Sequence, residues 1–235
     1  MNLSQVMSEL KKKGTPQTVK IFKRHGAPEN MYGVKVADLK PIAKKIKGNQ
    51  KLACELYATG NSDAMYLAGL VADGSQMTKR ELNQWARDAS WYMISEYTVP
   101  WVTCDSDHAR DLAVKWINAK KERVAACGWA TYSALLSVRD DAELELAEIK
   151  GFLKQIEKAI PDAANRVRYT MNGFVISVGT YVKPLLKQAK STAKKIGAVD
   201  VQMGETACKV PLATDYIAKV EKMNRVGKKR KTVRC

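Results

Sequence analysis

The chain predicts an all-α fold, an α-solenoid of antiparallel helix pairs ending in a short extended C-terminal arm. Three observations point there. Apolar residues recur at three- and four-residue intervals through most of residues 1–197, the spacing of one helix face. The breaks between these runs are short and frequent, so neighbouring helices fold back on each other. Period-two alternation, the mark of a half-buried strand, is scarce before residue 198. No strict repeat is visible, so the solenoid is expected to be degenerate.

Taken in order, Leu39, Ile42, Ala43 and Ile46 line one face, with Lys40, Lys44, Lys45 and Lys47 between them. Leu52, Leu56 and Tyr57 follow, then Met65, Leu67, Leu70 and Val71. Next come Leu112, Val114, Trp116 and Ile117, and then Val124, Cys127, Ala130, Tyr132, Leu135 and Leu136. Leu144, Leu146, Ile149, Phe152, Leu153 and Ile156 form a further set, and Pro184 stands at a first helical turn before Leu185, Leu186 and Ala189. Thr15 before Pro16, Asn61-Ser62-Asp63, and Thr78 with Glu81 three residues on all read as N-terminal caps. After Gly197 the character changes. Residues 198–204 alternate weakly, as a short strand or an extended arm. Pro211 disfavours helix at Val210, and residues 213–225 form a last helix with Tyr216, Ile217 and Val220 on one face. The expected division is a repeat domain over 1–197 and an extension over 198–235.

Composition narrows the function classes. Lys and Arg number 40 against 24 Asp and Glu, a net charge of +16, and a pI near 9.6 suits a nucleic-acid binder. No apolar run approaches the roughly 18 residues that cross a bilayer, so no membrane partner is expected. The N-terminus lacks the charged-then-apolar plan of a secretory leader. Five cysteines without a C-x-x-C pair indicate reduced thiols and a cytoplasmic protein, in a bacterial-type cytosol or associated with the nucleoid. With only His25 and His108 as imidazoles and no Gly-rich phosphate loop, neither a metal site nor a cofactor is expected.

The last seventeen residues carry eight Lys or Arg and one acidic group. Lys228, Lys229, Arg230, Lys231 and Arg234 form a run that repels itself and needs water or a polyanion around it. A solvated tail and a nucleic-acid contact are both open on this run alone. Cys235 beside Arg234 has cations that favour its thiolate, with its own carboxylate opposing them. Asp140, Asp141, Glu143, Glu145 and Glu148 read as the solvent side of a helix.

The densest aromatic stretch is Ser90-Trp91-Tyr92-Met93-Ile94-Ser95-Glu96-Tyr97-Thr98-Val99-Pro100-Trp101. On a helix, Tyr92 and Glu96 share a face, an aromatic plate one turn from a carboxylate. That pairing suits a developing oxocarbenium ion, the ring packing a sugar and the anion stabilising the cation. On helical spacing alone the favoured reading is that Trp91 and Ile94 are core, with Tyr92 and Glu96 at a solvated rim. Arg166 and Arg168 either hold phosphates on a concave face or form an exposed helix side.

The succession Tyr32-Gly33-Val34, then Leu56-Tyr57-Ala58, Ala64-Met65-Tyr66-Leu67-Ala68 and Ser90-Trp91-Tyr92 resembles the DNA alkylation repair (AlkC/AlkD-like) superfamily over residues 1–195. The resemblance implies HEAT-like repeats forming a basic cradle for duplex DNA. It also implies a DNA glycosylase that releases cationic alkylated purines. The family's S-W-W-x-x-x-D pattern places its stacking Trp on Tyr92 and its Asp on Glu96, with Trp91 before them. A second Trp after a Gly falls on Phe174, and an Arg beside an Ala-Ala pair falls on Val124, with Arg123 one residue earlier. Tyr and Phe offer less stacking area than Trp, and Glu displaces its charge by one methylene.

These readings lead to a DNA-binding helical-repeat protein, a monomer whose partner is duplex DNA bearing damage. As an enzyme it would hydrolyse the N-glycosidic bond of N3- or N7-alkylpurines, with Glu96, Tyr92, Phe174 and Trp91 catalytic. Arg123, Arg166, Arg168, Lys228, Lys229, Arg230, Lys231 and Arg234 would hold DNA. The alternative is a non-catalytic HEAT-like module for structured DNA, RNA or a protein partner, and a third reading is a protein-interaction scaffold with a solubilising tail.

Overall fold

The structure, a computed structural model, describes residues 1–234; the thiol of Cys235 lies outside them. Among the described residues the chain is helical, without a strand. It divides into two compact units. The first comprises Met1–His108 with Met203–Ala207, the second Ala109–Gln202 with Cys208–Cys235.

In the first unit lie α1 (Leu3–Lys13), α2 (Pro16–Arg24), α3 (Val36–Lys45), α4 (Gln50–Ala58), α5 (Ser62–Val71), α6 (Lys79–Asp88) and α7 (Val99–Cys104). The expected caps are present. The Thr15 hydroxyl accepts from the Thr18 N–H with Pro16 just inside the helix, Asn61 accepts from Ala64 N–H, and Thr78 and Glu81 form a reciprocal capping box. Each satisfies N–H groups that a helix start leaves without a partner. Helix α5 is buried from Ser62 through Gly69 and forms the centre of the unit, packed against α4. Tyr57 and Trp85 stack with ring centroids 3.8 Å apart, and the Tyr57 hydroxyl donates to the Trp85 carbonyl at 2.6 Å.

One loop is held by a long-range bond set that local sequence does not announce. Asp63, 3% exposed, accepts hydrogen bonds from the backbone N–H groups of Tyr32 (2.6 Å), Gly33 (3.0 Å) and Val34 (2.9 Å). Gly33 has φ +77°, and a Cβ there would lie 2.7 Å from the Val19 nitrogen and 2.8 Å from the Thr15 carbonyl oxygen. Only glycine fits this close approach.

The second unit contains α8 (Ala109–Ile117), α9 (Glu122–Val138), α10 (Leu146–Ala159), α11 (Asn165–Tyr181), α12 (Leu186–Ile196) and α13 (Ala213–Lys222). Helix α9 packs on both α8 and α11, and α11 packs on α12 and α13. Gly128 permits the α8–α9 approach, since a Cβ there would collide with the Ile117 backbone nitrogen. Trp129, Tyr132, Phe152 and Phe174 meet edge to face at the core, at centroid distances between 5.2 and 6.0 Å, the arrangement favoured by ring quadrupoles. The Tyr132 hydroxyl donates to Glu148 at 2.6 Å, and Arg110 grips the same carboxylate through two bonds of 3.0 Å. Burial and that carboxylate hold the Tyr132 phenol well above its ordinary value.

The described residues after Gly197 form no strand. Residues 198–212 are extended or bent, tied by Asn165 to Gln202 and by Asn172 to the Pro211 carbonyl. Beyond α13 the basic run is folded onto the second unit rather than trailing from it. Gly227 N–H donates to the Thr180 carbonyl and Arg230 N–H to the Ser137 carbonyl, while Val233 is buried.

Candidate nucleic-acid interface

Tyr92 precedes an irregular turn and Glu96 sits in the middle of it. Residues Ile94–Thr98 form a π-helical turn running into α7. Pro100 accounts for it: proline has no N–H for the Glu96 carbonyl and its ring crowds the oxygen four residues back. Widening the turn just before Pro100 relieves that crowding, and such turns occur often at functional sites. Simple α-spacing therefore does not hold over this stretch.

In the first unit, Trp91, Tyr92, Phe22 and His25 make one aromatic group. Trp91 and Tyr92 meet at 5.0 Å, Phe22 and Trp91 at 5.6 Å, and His25 and Tyr92 at 6.4 Å. Tyr92 is half-buried, Trp91 is buried, and Glu96 is 8% exposed. The Trp91 indole N–H is buried with no hydrogen-bond partner. It borders a cavity of about 20 Å³ shared with Ser62 and Asp63. Tyr92 thus keeps part of its surface exposed, whereas Trp91 beside it is buried.

Phe174 requires a correction to the expected stacking set. It has no exposed surface and lies within the aromatic core of the second unit, so it has no face to offer a sugar. The Gly-aromatic match located the residue, but a phenyl ring in the middle of α11 gains more from packing than a rim position supplies.

The cationic candidates divide in the same way. Arg123 is exposed near the start of α9. Arg166 lies over the Tyr169 ring at 4.3 Å, and its backbone N–H donates to Glu122 at 2.7 Å. Arg168 is half-buried with its Nε lacking a partner. Lys228, Arg230 and Lys231 are exposed and Arg234 is half-buried. Lys229 is committed internally, 2.8 Å from Asp141 Oδ1 and 3.0 Å from the Leu136 carbonyl oxygen, so Asp141 is a structural anchor rather than a solvent-side charge.

Sequence reasoning missed the Asp63 anchor, the His25–Tyr92 contact and a concavity built by the C-terminal segment. That concavity, of about 560 Å³, is lined by Tyr216, Lys219, Arg225, Lys228 and Arg230 among others. The dense charge was visible, but not that the chain folds back to make a wall of it. Among the described residues no group of three His, Cys, Asp or Glu side chains is arranged to hold a metal ion, and no helix is long and apolar enough to cross a membrane.

Comparison with known proteins agrees with this architecture. The family model of DNA alkylation repair enzymes matches residues 6–195. An uncharacterized protein of Listeria innocua is 34% identical over 233 residues, covering 97% of this chain and 100% of its own. A second, from Listeria monocytogenes, is 33% identical over 225 residues, covering 93% and 97%. A solved structure matches with a TM-score of 0.92 and 39% identity over the full length of both chains. It is described as one of a new family of proteins related to the HEAT-like repeat DNA glycosylases with affinity for branched DNA structures. The fold is therefore a HEAT-like helical repeat, and the chain belongs to the DNA alkylation repair enzyme family.

Proposed function

We propose that this protein binds DNA through its basic surface and prefers branched DNA to plain duplex, without depending on glycosylase chemistry. The observation that carries this reading is the burial of Phe174. One of the stacking residues that the family pattern implies is part of the core, while full-length likeness joins the chain to a protein with affinity for branched DNA. Arg123, Lys228, Arg230 and Lys231 are exposed cations suited to phosphate contacts that position a nucleic acid without reading its sequence. Competition between a labelled three-way junction and an unlabelled duplex of equal length tests the reading. Junction binding that survives duplex excess supports it, and equal competition by the duplex removes it.

A second reading, release of N3- or N7-alkylpurines, is favoured by one feature. Tyr92 is half-buried and stands four residues from Glu96, which lies in a π turn. Here Glu96 would stabilise the cationic sugar or orient water, and Tyr92 would pack the deoxyribose. Incubation with DNA carrying 7-methylguanine tests it: base release no greater than that of Glu96→Gln rules the activity out.

A further inference from the structure

The concavity made by the C-terminal segment belongs to no part of the aromatic–carboxylate site. Helix α13 and the chain after it form one side, and the end of α11 forms the other. Its volume, about 560 Å³, falls in the range of small-molecule sites, about 300–1,000 Å³. Lys219, Arg225, Lys228 and Arg230 line it, all exposed, and no carboxylate lines it among the described residues. Lys229 lines it as well, paired with Asp141 at 2.8 Å, and Glu221 on α13 is paired with Lys190 at 2.9 Å. Four cations without counter-charge raise the local concentration of anions.

Two further features narrow the ligand. The Tyr216 ring, 47% exposed, lines the same concavity, an aromatic surface that a base can cover. Thr180 lies on the wall from α11, and its hydroxyl oxygen is buried with no hydrogen-bond partner. A buried hydroxyl left without a partner is costly, and a ligand group entering the concavity would supply one. Cations for phosphate, a ring for stacking and a hydroxyl for a polar edge match a nucleotide. A paired base cannot use the ring, because both of its faces are occupied by its neighbours in the stack.

We propose that this concavity takes an unpaired nucleotide of a DNA strand. Its base covers Tyr216, and its phosphates lie against Lys219, Arg225, Lys228 and Arg230. This rests on the branched-DNA reading above for the source of the unpaired nucleotide, since branch points leave strands locally unstacked. Base–aromatic stacking of this kind tolerates any sequence.

The test uses the full chain and four fluorescent probes: a duplex, a fully paired junction, the same junction with a single-stranded thymidine tail, and a short free oligothymidylate. Tyr216→Ala is expected to weaken binding of the tailed junction and the free oligonucleotide by about tenfold and to leave the duplex unchanged. Tyr216→Phe, which keeps the ring, is expected to restore binding. Lys219→Ala with Lys228→Ala is expected to weaken the tailed probe more than the duplex. An unaltered melting temperature for Tyr216→Ala guards against a folding defect. Equal losses on duplex and tailed probes, or no loss at all, overturn the proposal. If the native chain shows no preference for junctions yet loses oligothymidylate binding in Tyr216→Ala, the branched-DNA reading fails and the concavity stands.

Discussion

The Nζ atom of Lys229 lies 2.8 Å from Oδ1 of Asp141, joining the basic C-terminal run to the turn after α9. The lysine side chain is only 15% exposed and also donates to the Leu136 carbonyl at 3.0 Å. Replacing it with methionine keeps the stem but leaves the Asp141 carboxylate and that carbonyl short of a donor. The expected cost is about 1–2 kcal/mol, a lowering of the melting temperature by about 2–8 °C. Thermal unfolding followed by circular dichroism measures it; an unshifted transition would mean the pair is solvated and idle.

Because Lys229 is committed to the fold, the salt dependence of DNA binding should come from its neighbours. Lys228, Arg230 and Lys231 are exposed. If each meets one phosphate, replacing all three with alanine flattens the log-affinity against log-salt slope by about 3 units, at about 0.9 per phosphate. Lys229→Ala alone should change that slope little while lowering stability. Titrations at several salt concentrations separate the two; an unchanged slope in the triple variant removes these residues from the interface.

The contrast between Lys229 and its neighbours shows how far the sequence could be read. Helix faces, the Thr15, Asn61 and Thr78 caps and the last helix with Ile217 and Val220 inward were legible, because each depends on residues within about four positions, although Tyr216, expected on that same face, is exposed. Long-range placement was not. Nothing local distinguishes Lys229, which finds Asp141 across the fold, from Lys228, which stays in solvent. Asp63 reads as one more helix-start acid, yet its partners are Tyr32, Gly33 and Val34. At the candidate site, Tyr92 and Glu96 were found by spacing. The π turn that sets their geometry follows from Pro100, a residue that reads only as a break.

Phe174 supplies the plainest test of a core role against a contact role. Its ring packs against Trp129 at 5.2 Å and Tyr132 at 5.7 Å with no exposed surface. Phe174→Ala should therefore destabilise the second unit by about 3–5 kcal/mol, and Phe174→Leu by less, as read by urea unfolding. A DNA-stacking residue would behave in the opposite way, with stability kept and affinity lost. That outcome would return Phe174 to the interface.

Asp63 organises the loop before α3 through three backbone N–H groups at 2.6 to 3.0 Å. Alanine would leave the buried Gly33 and Val34 donors without an acceptor. The expected loss is about 3–5 kcal/mol in unfolding free energy, with asparagine retaining part of it through its one carbonyl oxygen. Amide exchange at Gly33 and Val34 provides a local readout. Slow exchange at both in Asp63→Ala would mean that packing alone holds the loop.

The capping box at α6 predicts a specific acid dependence. Glu81 Oε2 accepts from the Thr78 backbone N–H at 2.8 Å and from its hydroxyl at 2.7 Å. The backbone bond from Thr78, with the hydroxyl bond and Arg80 adding to it, holds the carboxyl below the ordinary value of 4.5. A carboxyl with a depressed value in the folded state binds fewer protons there than in the unfolded chain. Its contribution is therefore complete above the unfolded value and is lost as pH falls through the folded one. Subtracting the unfolding free energy of Glu81→Gln from that of the native chain isolates the effect. The difference should be level above about pH 5.5, where both states are ionised, and shrink progressively below about pH 4.3. A difference that stays level into acid would show that the glutamate acts here only as a neutral acceptor would.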